Sequence, residues 1–209
     1  MGTLGLLRPL SLLQPHLVVP SIYELDLDML YQQGIRGLIL DIDNTVVAWG
    51  SKEVTPALRG WVEEAGKKGL GLCFSSNARS PRVAEVSRLL GVPGIPNAAK
   101  PRRHSFRQAM YIMGTRKEET AVVGDQLFTD VLGGNRLGLF TILVNPIAAR
   151  EFFFTRLVRR LERLVLHLLH IGRSDRLEGR LQRPPQGRPQ GPPHHPPQGP
   201  LQRPLQRPR

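Results

Sequence analysis

Two aspartates, Asp41 and Asp43, stand two residues apart directly after the apolar run Gly37-Leu38-Ile39-Leu40. Carboxylates held this close repel each other unless a proton or a cation lies between them. One of them is free to attack, and the other can trade protons. Further polar signals close later apolar runs: Ser75, Lys100 and the pair Asp125/Asp130. Together they suit phosphoryl transfer, which depends above all on positioning and charge stabilisation. Asp41 can take up a phosphoryl group as an aspartyl-phosphate. Asp43 can protonate the leaving alkoxide and then activate water. Ser75 and neighbouring backbone N–H groups can hold phosphoryl oxygens, and Lys100 can neutralise nucleophile and phosphate together. Asp125, with Asp41 and the backbone carbonyl of Asp43, can complete a hard-oxygen Mg²⁺ site.

Three residues fall into a supporting class. Thr45 can bond within the nucleophile loop, Asn77 can touch the site or merely cap a turn, and Asp130 can brace the metal site. A helix start welcomes an acid such as Asp130 for dipole reasons alone. A calcium loop competes for the Asp-x-Asp-x-Thr spacing. Position six is Val46 where such a loop needs glycine, and position twelve is Lys52 where it needs glutamate.

The elements that must carry these groups alternate between strand and helix. Apolar runs predict strands at Gly37–Leu40, Gly69–Phe74, Ile95–Ala99, Thr120–Val123 and Leu139–Val144. Helical spacing and stop signals predict helices from Ile22 (capped by Ser21) to Gln33, from Thr55-Pro56 to Lys68, and from Ser80-Pro81 to Leu90. Two more are expected at His104–Met113 and Thr129–Leu137. Between Thr45 and Thr55 a short segment containing Trp49-Gly50 reads as a hairpin or flap. The alternation predicts an α/β fold with a parallel sheet covered on both faces, and with ligands at the carboxyl ends of its strands.

Composition divides the chain further. Residues 1–20 read as a loose lead-in and residues 21–150 as the domain. Residues 151–172 read as a basic amphipathic helix, which can pack on its own domain or lie on a membrane surface, and residues 173–209 as a disordered Pro/Gln/Arg-rich tail. Of the formal charge of +12, residues 1–149 carry +3 and residues 150–209 carry +9. A basic appendage of this kind suits an anionic partner: a phospholipid surface, with nucleic acid as the other option. The single Cys73 excludes an internal disulfide. No run reaches the roughly 20 apolar residues that span a bilayer, and the N-terminus lacks a compact apolar leader. The expected location is the cytoplasm, peripheral at the inner face of the membrane.

The four signals, in this order, resemble the motifs of the haloacid dehalogenase (HAD) superfamily of phosphohydrolases. Asp41-Ile42-Asp43-Asn44-Thr45 matches the nucleophile motif, Ser75 the second, Lys100 the third, and Gly124-Asp125 through Asp130 the fourth. Gly34-Ile35-Arg36-Gly37, Ala99-Lys100-Pro101 and Gly124-Asp125-Gln126-Leu127-Phe128-Thr129-Asp130 look like the YqeG-like branch of subfamily IIIA, over residues 15–170 or so. That branch includes phosphatidylglycerophosphate phosphatases. The resemblance implies a Rossmann-like three-layer sandwich, Mg²⁺, and hydrolysis of phosphatidylglycerophosphate to phosphatidylglycerol. Ser75-Ser76-Asn77 departs from the expected Ser-Asn-Asn and leaves the phosphate contact open between Ser75 and Ser76. The gaps from Asp43 to Ser75 and from Ser75 to Lys100 are too short for a substantial cap domain. An open site suits a phosphate on something too large to engulf. The other outcomes are a phosphatase of protein or nucleic-acid phosphate, and a catalytically idle scaffold.

Overall fold

The structure is a computed structural model that describes residues 11–147. The expected helix at 151–172 and the tail at 173–209 lie outside the described residues, as do residues 1–10.

Six parallel strands form one sheet in the order β1-β6-β5-β2-β3-β4. They are β1 (Leu17–Val19), β2 (Gly37–Leu40), β3 (Gly71–Ser75), β4 (Gly94–Ile95), β5 (Thr120–Gly124) and β6 (Phe140–Val144). Between them run α1 (Leu27–Gln32), α2 (Pro56–Lys67), α3 (Ser80–Leu90), α4 (Arg103–Met113) and the short α5 (Leu132–Asn135). This is the expected Rossmann-like sandwich. Its two cores follow from the period-2 alternation of the strands. Leu38, Leu40, Leu72 and Phe74 pack on one face with Leu58 and Trp61 of α2 and with Val83 and Val86 of α3. Ile39, Cys73 and Val122 point the other way, against Phe106 and Ala109 of α4.

The chain moves outward from β2 to β3 and β4, then crosses back to β5 on the other side of β2. Connections therefore leave in opposite directions from the adjacent pair β2 and β5. The crevice opens at such a reversal. Among the described residues, only a loop and α2 separate β2 from β3, and only α3 separates β3 from β4. Among the described residues no cap domain is inserted between these strands.

Four expectations change. Residues 17–19 of the lead-in are a strand, paired with Ile142–Val144, because His16 anchors them: its ring bonds the Thr141 hydroxyl at 2.9 Å and the Thr141 N–H donates to Nδ1 at 3.1 Å. The helix expected over Ile22–Gln33 is two pieces. Ser21 caps a short 3-10 turn at Ile22–Glu24, and Asp26 then caps α1 by accepting from the Met29 N–H at 2.8 Å. The strand expected at Ile95–Ala99 stops at Ile95, since Asn97 and Ala99 both adopt positive φ (48° and 51°), a conformation foreign to strands. The helix expected from Thr129 begins instead as a π-turn at Leu127–Val131 before α5.

Candidate active site

The site groups lie beyond the carboxyl ends of the strands, some directly after a strand and others, such as Lys100 and Asp130, further along the connection. Asp41 follows β2 and Asp125 follows β5. Between them the sheet is held by the Asp41 N–H donating to the Val123 carbonyl at 2.9 Å. Ser76, the first residue after β3, lines the cavity, whereas Ser75 is the last strand residue and does not. The Ser75 hydroxyl is buried with no hydrogen-bond partner. The sequence-based strand ended at Phe74, one residue short of the observed end, and so pointed to Ser75.

The cavity holds about 330 Å³ and is lined by Asp41, Asp43, Ser76, Asn77, Arg82 and Lys100, with Trp49 at 52 % exposure. Lys100 crosses from the β4–α4 connection and donates to Asp41 Oδ1 at 2.7 Å and to Asp130 Oδ1 at 2.6 Å. Asn77 holds the backbone of Lys100. It accepts from the Lys100 N–H at 2.9 Å and donates to the Lys100 carbonyl at 3.4 Å. This makes Asn77 more than a turn cap.

Asp41, Asp125 and Asp130 are all buried, and their nearest carboxylate oxygens lie within 4.8 Å of one another. Three carboxylates crowd against one ammonium in this buried space, and a divalent cation among them would offset their mutual repulsion. Oxygen-only donors suit a hard ion such as Mg²⁺. These residues therefore fit the ion that the resemblance implies. Burial pushes the Asp41 carboxyl up to about 7, Lys100 opposes the shift, and Asp130 adds to it. Burial works against the Lys100 ammonium, but Asp130 and Asp41 outweigh it and hold the lysine charged, above its ordinary range.

The Asp43 side chain does not join the carboxylate cluster. It is ion-paired with Arg82 of α3, and its Oδ1 also accepts from the Gly50 N–H at 3.3 Å. Thr45 is buried beneath the loop without lining the cavity, and its hydroxyl has no hydrogen-bond partner. The flap is a compact loop, not a hairpin. Asn44 takes φ 60°, a conformation that asparagine tolerates better than most residues, and its side chain accepts from the Trp49 N–H at 3.1 Å. Arg82 went unread in the sequence because nothing in its surroundings there separates it from an ordinary helix-surface arginine.

Gly124 shows how tightly the fourth motif is packed. A Cβ there would sit 2.2 Å from Asp130 Cγ and 2.5 Å from Asp130 Cβ. Gly124→Ala is therefore expected to push Asp130 off Lys100 and to cost about 1–3 kcal/mol of stability. Turnover should fall at least tenfold. Denaturant melts and steady-state assays check both, and wild-type values in each would show that Asp130 moves freely.

A six-stranded parallel sheet carries a buried Asp–Lys–Asp arrangement at its switch point, as the resemblance to the α/β phosphohydrolases of the HAD type implies. The sequence model described as HAD-hydrolase-like matches residues 97–146, and that described as mitochondrial PGP phosphatase matches residues 2–79. The chain is 41 % identical over 155 residues to "Probable phosphatase YqeG" of Bacillus subtilis, covering 74 % of this chain and 90 % of that protein. It is 29 % identical to the mitochondrial phosphatidylglycerophosphatase GEP4 of Saccharomyces cerevisiae, covering 68 % of this chain and 85 % of that one. A chloroplastic/mitochondrial phosphatidylglycerophosphate phosphatase of Arabidopsis thaliana is also 29 % identical, over 73 % of this chain but only 47 % of its own length. The chain belongs to the YqeG-like, PGP-phosphatase-like branch of the HAD superfamily and is a HAD-type phosphatase.

Proposed function

We propose that the chain is a Mg²⁺-dependent phosphomonoester hydrolase that converts phosphatidylglycerophosphate to phosphatidylglycerol through an aspartyl-phosphate. The observation that carries this reading is Asp41 lining the cavity, bonded to Lys100 and grouped with Asp125 and Asp130. The names of the relatives supply the substrate.

In the first step an Asp41 oxygen forms a bond to phosphorus, and the bond from phosphorus to the glycerol oxygen breaks. The departing oxygen takes a proton from Asp43. In the second step water attacks phosphorus, gives a proton to Asp43 and frees the Asp41 carboxylate, releasing inorganic phosphate. Lys100 holds the nucleophile and offsets charge on the phosphoryl oxygens, and Ser76 with adjacent N–H groups receives those oxygens. Asp41, Asp125 and Asp130, with the Asp43 carbonyl, would hold Mg²⁺, which supplies Lewis-acid stabilisation of the transferring group when bound.

Access to a lipid headgroup fits the open mouth, where Trp49 is exposed. Residues 151–171, rich in arginine on one side of a helical pattern, would add contact with an anionic surface. No described helix is long and apolar enough to cross a membrane. Purified protein with Mg²⁺ is expected to release phosphate from vesicles carrying phosphatidylglycerophosphate. Release from a phosphorylated peptide or oligonucleotide alone would overturn the lipid assignment.

A further inference from the structure

Arg82 is the cavity residue whose position no phosphoryl-transfer motif explains. It sits on α3 and binds three separate points of the loop that follows the nucleophile. Its Nε and Nη2 both donate to the Ser51 carbonyl, at 3.0 and 2.9 Å, and Nη2 also reaches the Ala48 carbonyl at 3.5 Å. Nη1 is left to donate to Asp43 Oδ1. With Nε and Nη2 fixed to the backbone, the guanidinium plane is set, and so is the direction in which Nη1 points. Arg82 and Asp43 are only 16 % and 17 % exposed, so solvent does little to loosen the pair.

The contacts on Asp43 are one-sided. Arg82 and the Gly50 N–H both bind Oδ1. Oδ2 is therefore the oxygen left to face a reacting group. A carboxylate tethered through one oxygen is held in a single orientation for proton transfer through the other.

We propose that Arg82 is the positioning residue for Asp43, holding its free oxygen where the leaving group's oxygen emerges. The proposal rests on the assignment of Asp41 as nucleophile and Asp43 as proton carrier. As the bond from phosphorus to the leaving oxygen breaks, electrons collect on that oxygen. An alkyl alcohol must receive a proton there, whereas p-nitrophenolate is stable without one. A residue that acts through Asp43 therefore matters for the first kind of substrate and not for the second.

The test compares kcat/KM for short-chain phosphatidylglycerophosphate (or glycerol 3-phosphate, should the wild type refuse the lipid) with that for p-nitrophenyl phosphate. This constant covers events up to phosphoryl transfer onto Asp41, so the later hydrolysis does not enter. Arg82→Ala is expected to lose roughly 100-fold on the alkyl ester, the scale of a misplaced catalytic group, and less than about threefold on the aryl ester. Retained aryl turnover also shows that the variant folds. Arg82→Lys, which keeps the charge but not the fork, should recover part of the alkyl activity. In an Asp43→Asn background, Arg82→Ala should add no further loss on the alkyl ester, because both changes act through one group.

Equal losses on the two substrates would overturn the proposal and make Arg82 a phosphate contact or a loop brace. A gain in alkyl turnover would overturn it in the other direction, making the pair a restraint on Asp43. Either result leaves Asp41 as nucleophile. Undiminished turnover in Asp41→Asn would instead remove the function on which the proposal stands.

Discussion

Asp41→Asn is expected to fold and to lose turnover by roughly 10⁴-fold or more, the scale seen when a covalent nucleophile is removed. The amide cannot attack phosphorus, and the neighbouring Asp43 is ion-paired with Arg82. Asp130 is turned to Lys100, to the Gln126 N–H at 3.4 Å and to the Thr129 hydroxyl at 3.2 Å. Stability should move the other way. The Asp41 carboxyl rises from 3.8 to about 7 on folding, chiefly through burial. A raised acid contributes its stabilisation fully below pH 4 and loses it as pH climbs through 7. Without divalent metal, the asparagine variant should therefore melt above the wild type at pH 8, with the gap closing by pH 4. Thermal melts at the two pH values, beside phosphate-release assays, check both halves. Phosphate release within tenfold of wild type would remove Asp41 as nucleophile.

Lys100→Ala has the second largest expected effect, and it falls on folding as well as catalysis. The ammonium is almost wholly buried and bonds two carboxylates. Removing it leaves Asp41, Asp125 and Asp130 together with no cation. Breaking a buried pair from one side costs about 3–5 kcal/mol, or roughly 10 °C or more in Tm for a domain of this size. The deficit should shrink as pH falls and the carboxylates take up protons. It should also shrink when Mg²⁺ is added, because the ion supplies the missing positive charge. Turnover should stay low in either case, since an ion among the carboxylates does not restore the bond to the nucleophile. A variant as stable at pH 8 without metal as the wild type would show that the cluster keeps itself neutral by other means.

These expectations rest on side chains that the sequence marks unevenly. Asp41 and Asp125 were legible because each follows an apolar run that has to be a strand, and a polar group at that point lies at the crevice. Lys100 was legible only from its place in the motif order, since its strand ends five residues earlier, at Ile95. Asp130 was legible as a companion of Asp125. Its bond to Lys100 was not, because the two residues lie on different connections. Ser76 was obscured by its neighbour, since one residue of uncertainty at a strand end exchanges a buried side chain for a cavity-lining one. Arg82 was invisible. Its role depends on where α3 lies over the loop at residues 48–51, and helix packing of that kind leaves no local mark.

By itself, the sequence determined the class of fold and marked candidate reacting groups. Apolar alternation, capping residues and strand-end acids are all local signals. They act over one turn or one strand and are written in adjacent positions. Tertiary structure alone decided the strand order, with β2 and β5 side by side so that Asp41 and Asp125 share one crevice. It also decided that a single buried lysine serves two acids, and that Arg82 claims Asp43. Those arrangements arise from long-range packing. There the free energy depends on which charged groups lose water together, and linear order does not specify that.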